Sequence, residues 1–153
     1  MLFLDLKYLS SAVLVMAFGW TWPGRVEKCT ALSVVEGQGT EVNKTVSIPG
    51  LGLVAKNNWN TDWVVSSHEK FQSFQATIVS EDDSSYRIEM YLKYGDQTAD
   101  QFYQKKEVKL IANEPLTIEA TTRTKTQPYQ VNLLVGGIEA VGKTYTASVV
   151  GCS

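Results

Sequence analysis

An antiparallel, immunoglobulin-like β-sandwich of about eight or nine strands is the fold class that this sequence predicts. Three observations lead there. Tyr86, Ile88, Met90, Leu92 and Tyr94 alternate with Arg87, Glu89, Tyr91 and Lys93, a period of two that marks a strand with one buried face. Weaker copies of that alternation recur after residue 25, separated by short Gly, Pro, Asp and Asn turns. Two cysteines, Cys29 and Cys152, stand at opposite ends of the β-rich region. A β-barrel is the alternative way to close the same strands.

The chain has 153 residues, 44% of them hydrophobic, which is one domain with enough apolar material for a core. Its net charge is −2 and its charged residues are interspersed, which argues against nucleic acid and anionic membrane surfaces as partners. The N-terminus differs from the rest. Residues 8–24 carry no charge between Lys7 and Arg25. The apolar run is short for a membrane span and ends in Ala17-Phe18-Gly19, the layout of a secretory signal. The expectation is a signal over residues 1–19, cleaved after Gly19, a linker over 20–27 and the β domain over 28–153. The alternative is an uncleaved anchor, with membrane contact through residues 1–22 and Trp20 and Trp22 at the interface. A core helix is the third reading. Export to a secreted or periplasmic space makes a Cys29–Cys152 disulfide the expected use of both cysteines. Their Cα atoms should then lie about 4.4–6.8 Å apart; two free buried thiols are the alternative.

Taken in order, Lys28–Val35 is the first predicted strand, closed by the Glu36–Gly39 turn. Glu41–Ile48 is the second, with Val42, Val46 and Ile48 on one face and Pro49 as its stop. A short strand over Asp62–Ser66 follows the asparagine-rich loop. Phe71–Ser80 points Phe74, Ala76, Ile78 and Ser80 one way, and the polar turn 81–84 is expected to fold it into a hairpin with Ser85–Tyr94. In Ser85–Tyr94 a one-residue slip would bury Arg87, Glu89 and Lys93, so the register is strongly specified. Asp100–Ile111 carries Lys105-Lys106-Glu107 in its middle, which suits an edge strand. Leu116–Thr122, Tyr129–Val135 and Thr144–Cys152 complete the set, and no helix is expected after the N-terminal segment.

Candidate chemistry is sparse. Gly137, Gly142, Lys143 and Thr144 have the spacing of a phosphate-binding loop. That chemistry needs a helix after the loop, and the β-branched tail after Thr144 supplies none, so a hairpin with permissive glycines is the expectation. His68 is the single histidine and has no nucleophile elbow to serve, so it reads as a loop residue and the protein as a non-enzyme. One histidine and two bridged cysteines leave no standard zinc site. Glu81, Asp82, Asp83, Asp96 and Asp100 read as solvated turn carboxylates rather than calcium ligands, and no metal or cofactor is expected. Asn43-Lys44-Thr45 is a glycosylation sequon in a eukaryotic secretory route and an ordinary strand segment elsewhere.

The loop around Trp59 and Trp63 is the most informative. Indoles beside Asn58, Asn60 and Asp62 would let the rings stack on sugar faces and the polar groups meet hydroxyls. The leading structural reading has the indoles plugging an end of the core; contact with a protein partner is the third. The function expected from the sequence is a non-enzymatic exported module with a structural or protein-binding role. A carbohydrate-binding module using Trp59 and Trp63 is the alternative.

Overall fold

The computed structural model describes residues 27–50 and 56–153. The expected signal or anchor over 1–19 and nearly all of the 20–27 linker lie outside the described residues. Ten strands are found among those described: β1 (Cys29–Ala31), β2 (Ser33–Val34), β3 (Glu41–Thr45), β4 (Asn60–Val64), β5 (Ser73–Ser80), β6 (Ser84–Lys93), β7 (Ala99–Leu110), β8 (Pro115–Thr121), β9 (Gln130–Gly136) and β10 (Thr144–Cys152). They form two antiparallel five-stranded sheets stacked as a sandwich. Sheet A runs β1-β10-β5-β8, with β3 pairing beside β1 along the same edge of β10, and sheet B runs β2-β4-β9-β6-β7. Among the described residues no helix is long and apolar enough to cross a membrane.

The strongest alternation in the sequence builds the strand it predicted. Tyr86, Ile88, Met90, Leu92 and the adjoining Tyr94 are at most 1% exposed. Each buried side chain of that size contributes about 1.5–3 kcal/mol, and a slip by one residue would forfeit all five together. Facing them across the core are Phe74, Ala76 and Ile78 of β5, Ile118 and Ala120 of β8, and Tyr145, Ala147 and Val149 of β10. Where hydroxyls enter this core they find partners, as in the 2.7 Å bond between Ser80 Oγ and Tyr86 Oη. No buried side-chain nitrogen or oxygen among the described residues lacks a hydrogen bond, which is what a buried polar group requires.

Several boundaries depart from expectation. The first strand is divided: β1 joins sheet A and β2 joins sheet B, with the buried Leu32 at the crossing point and its N–H bonded to Val149 O at 2.9 Å. The second strand ends at Thr45, and Ile48, expected inward, is 66% exposed. β5 and β6 do not form a hairpin. β5 pairs with β10 and β8, whereas β6 pairs with β7 and β9, so the turn 81–84 carries the chain from one sheet to the other. The link from β9 to β10 also changes sheets rather than closing a hairpin, and it contains a short 3-10 helix, Ile138–Ala140. The edge expectation is met: β7 borders sheet B, with Lys105, Lys106 and Glu107 exposed.

A disulfide joins Cys29 to Cys152. The two residues stand directly opposite each other in the β1–β10 pair. Their neighbours Lys28 and Ser153 exchange both backbone hydrogen bonds, so the cysteines occupy a non-hydrogen-bonded position. Cα atoms approach most closely at such positions, which accounts for a separation of 4.1 Å, shorter than the expected range.

Candidate functional site

The outward face of sheet B holds a connected set of polar side chains. Strand register sets Asp62, Asn132, Tyr91 and Gln101 side by side across β4, β9, β6 and β7. One row along lie Asn60, Leu134, Glu89 and Gln104, and on the other side Val64, Gln130, Lys93 and Ala99. All share one face because paired residues of neighbouring strands point the same way.

Hydrogen bonds lock these rows together. Tyr91 Oη donates to Glu89 Oε2 at 2.7 Å and accepts from Gln101 Nε2. Arg87 Nε donates to Glu89 Oε1 at 2.8 Å. Asp62 Oδ1 accepts from both Lys93 Nζ and Asn132 Nδ2 at 2.9 Å. Although it points away from the core, Glu89 is only 4% exposed. Its burial works to raise the carboxyl, but bonds from Tyr91, Arg87 and Gln104 outweigh that and hold it below the usual carboxylate range. The bond to Glu89, reinforced by burial, pushes the Tyr91 phenol up. Glu89 is therefore a carboxylate, and Tyr91 a neutral donor, at neutral pH.

Beyond Arg87 the face opens into a cleft of about 380 Å³ walled by Trp59, Ser85, Arg87, Ile138 and their neighbours. Trp59 enters it by way of a glycine. A Cβ placed on Gly136 would meet Trp59 Cγ and Cδ2 at 2.3 Å, so the indole lies against the bare backbone there. Gly136→Ala should drive the ring off the strand and lower stability by about 1–3 kcal/mol, the usual cost of overpacking, as read from a thermal melt.

The sequence-predicted residues divide. Trp63 is 0% exposed, buried in the core, and its Nε1 donates to Thr40 O at 3.1 Å; it presents no ring face to a ligand. Trp59 is 8% exposed, and its Nε1 donates to Ser47 O at 2.9 Å. It walls the cleft but is not free to act as an open stacking platform. Both indoles are buried, where their large apolar area is worth more than when displayed. Asn58 is spent on the end of β3, accepting from Ser47 N and donating to Thr45 O. The side chain of Asn60 is at the face, while its carbonyl accepts from Lys44 Nζ at 3.0 Å. Asp62 alone is tied into the polar rows. Residue type did not single out Arg87, Glu89, Tyr91, Lys93, Gln101 or Asn132. The signal present in the sequence was the spacing of Arg87, Glu89 and Tyr91, which places all three on one strand face within mutual reach.

The other sequence candidates lie away from these rows. The segment from Gly137 to Thr144 passes through the 3-10 helix into β10, with Gly137 at φ 108° and Gly142 at φ 79°. These are conformations glycine adopts freely, and Lys143 Nζ lies 3.5 Å from Asp82 Oδ2. His68 is exposed in a turn. Asp96 and Asp100 both receive the Arg123 guanidinium, which also sits 3.8 Å from the Tyr94 ring centroid. Among the described residues the one grouping of three metal-capable side chains is Glu27 with Cys29 and Cys152, and those sulfurs are bonded to each other. Asn43 is exposed on β3.

No family model matches the chain, and no curated protein matches it. Solved structures that resemble it include a CBM4 module, at 11% identity and TM-score 0.38, covering 83% of this chain and 93% of that one. A CBM22-1 xylan-binding domain from Paenibacillus barcinonensis Xyn10C aligns at 7% identity and TM-score 0.32, covering 83% and 91%. The CBM22-1–GH10 modules of Clostridium thermocellum xylanase 10B align at 9% identity and TM-score 0.34, covering 74% of this chain and 26% of that one. These values are too low to carry any ligand over to this protein.

Proposed function

We propose that this domain is a carbohydrate-binding module of an exported protein, and that it binds through the outward face of sheet B without catalysis. The observation that carries the reading is Glu89, a carboxylate almost fully buried on the solvent side of a sheet and held by Arg87 and Tyr91. Stability does not call for such a placement, because a buried ion pair is often no better than an apolar substitute. A preorganised set of donors and acceptors does call for it, since binding groups must be fixed by their neighbours before the ligand arrives. The centre of a protein–protein interface is depleted of charge, whereas the middle of this face carries Asp62, Glu89 and Lys93. An oxidising destination fits the Cys29–Cys152 disulfide.

The test is calorimetric titration with a panel of soluble polysaccharides. At least one should bind, and Tyr91→Ala should weaken it by tenfold or more, about 1.4 kcal/mol, with an unchanged circular dichroism spectrum. Undiminished binding by the variant would remove the sheet B face from consideration.

A further inference from the structure

We infer that the face selects uncharged glycan chains and turns acidic ones away; this rests on the reading of sheet B as a glycan site. Four ionised side chains stand in its rows and at the adjoining Arg87, and each already has its opposite. Lys93 Nζ is 2.9 Å from Asp62 Oδ1, and Arg87 Nε is 2.8 Å from Glu89 Oε1. The acidic members are doubly engaged, Glu89 also by Tyr91 and Asp62 also by Asn132. A uronate or sulfate would therefore meet no free cation in these rows. It would have to displace Asp62 from Lys93 or Glu89 from Arg87, leaving a protein carboxylate beside a second negative charge, which is a repulsive arrangement of the kind that sets specificity.

The other polar side chains of these rows are neutral amides, three of which already hold a bond within the rows, Asn132 to Asp62, Gln101 to Tyr91 and Gln104 to Glu89. Asn60, Gln130, Asn132, Gln101 and Gln104 lie on the same face by register. A side-chain amide offers donors and an acceptor together, and a sugar hydroxyl likewise both donates and accepts. Five amides around two closed ion pairs match a hydroxyl-covered, uncharged polymer. The cleft beyond Arg87 adds Lys106 beside Glu107 and Glu139, so it brings no excess of positive charge.

The experiment titrates the protein with neutral polysaccharides (a β-glucan, a xylan and a mannan) and with acidic ones (polygalacturonate, alginate and heparin) at low and at high salt. A neutral chain should bind with an affinity that changes less than about twofold across the salt range, since no net charge is matched. Every acidic chain should bind at least tenfold more weakly. Asp62→Asn, which releases Lys93, should narrow that gap by strengthening the acidic chains. An acidic polysaccharide bound as tightly as the neutral ones, or more tightly with steep salt dependence, would overturn the selectivity while leaving the glycan site standing. Failure of every polysaccharide to bind would overturn the site itself, and the selectivity with it.

Discussion

Reducing the Cys29–Cys152 disulfide should lower the stability of the domain by up to about 4–5 kcal/mol. The bond closes a loop with a sequence separation of 123. In the loop-entropy account a bridge restricts the unfolded chain more as its loop lengthens. It also fastens the two segments otherwise most liable to fray. β1 has only three residues, too few to hold the end of a sheet alone, whereas β10 is locked between β5 and β3. Reduction should therefore release β1 first and leave β5, β6, β9 and β10 assembled. Thermal melting with and without reductant, beside a thiol count under denaturing conditions, reads this directly. An unchanged melting temperature, or two free thiols in protein from its native compartment, would contradict it.

Trp63→Ala should cost about 3–5 kcal/mol, the range for truncating a buried aromatic. The indole is 0% exposed and bonds the loop at Thr40, so the substitution opens a cavity between the sheets and also removes the bond to the Thr40 carbonyl. Chemical denaturation should show the midpoint falling. A residue that served a ligand from the surface would behave otherwise: its loss would abolish binding and leave the midpoint within about 0.5 kcal/mol of wild type.

The pattern of β6 was legible because every second residue is large and apolar, and nothing local competes with that signal. Sheet membership was not. Periodicity tells which face of a strand is buried but not which neighbour it pairs with, so the turn 81–84 read as a hairpin although it crosses the core. Ser80 and Tyr86 meet across that crossing, and only the three-dimensional arrangement discloses it. In the first strand apolar residues stand in both alternating sets, Cys29, Ala31 and Val35 in one and Leu32 and Val34 in the other, so the division at Leu32 leaves no mark in the alternation. The candidate site failed to stand out for a similar reason. Trp59 and Trp63 attract notice by residue type, yet the same area that suits a sugar ring suits a core. Glu89 and Asn132 look like ordinary outward residues of their strands. Their significance arises from register across β4, β9, β6 and β7, between residues far apart in the chain.

The most direct measurement of the glycan site is a heteronuclear NMR titration of the full chain with a soluble neutral oligosaccharide, following the side-chain amides. Binding at the outward face of sheet B should shift the amide groups of Asn132, Gln101 and Gln104 together, in one saturable event, while Asn43 and Gln75 on sheet A stay still. Saturable shifts confined to sheet A, or none on sheet B with an oligosaccharide that calorimetry shows to bind, would contradict it.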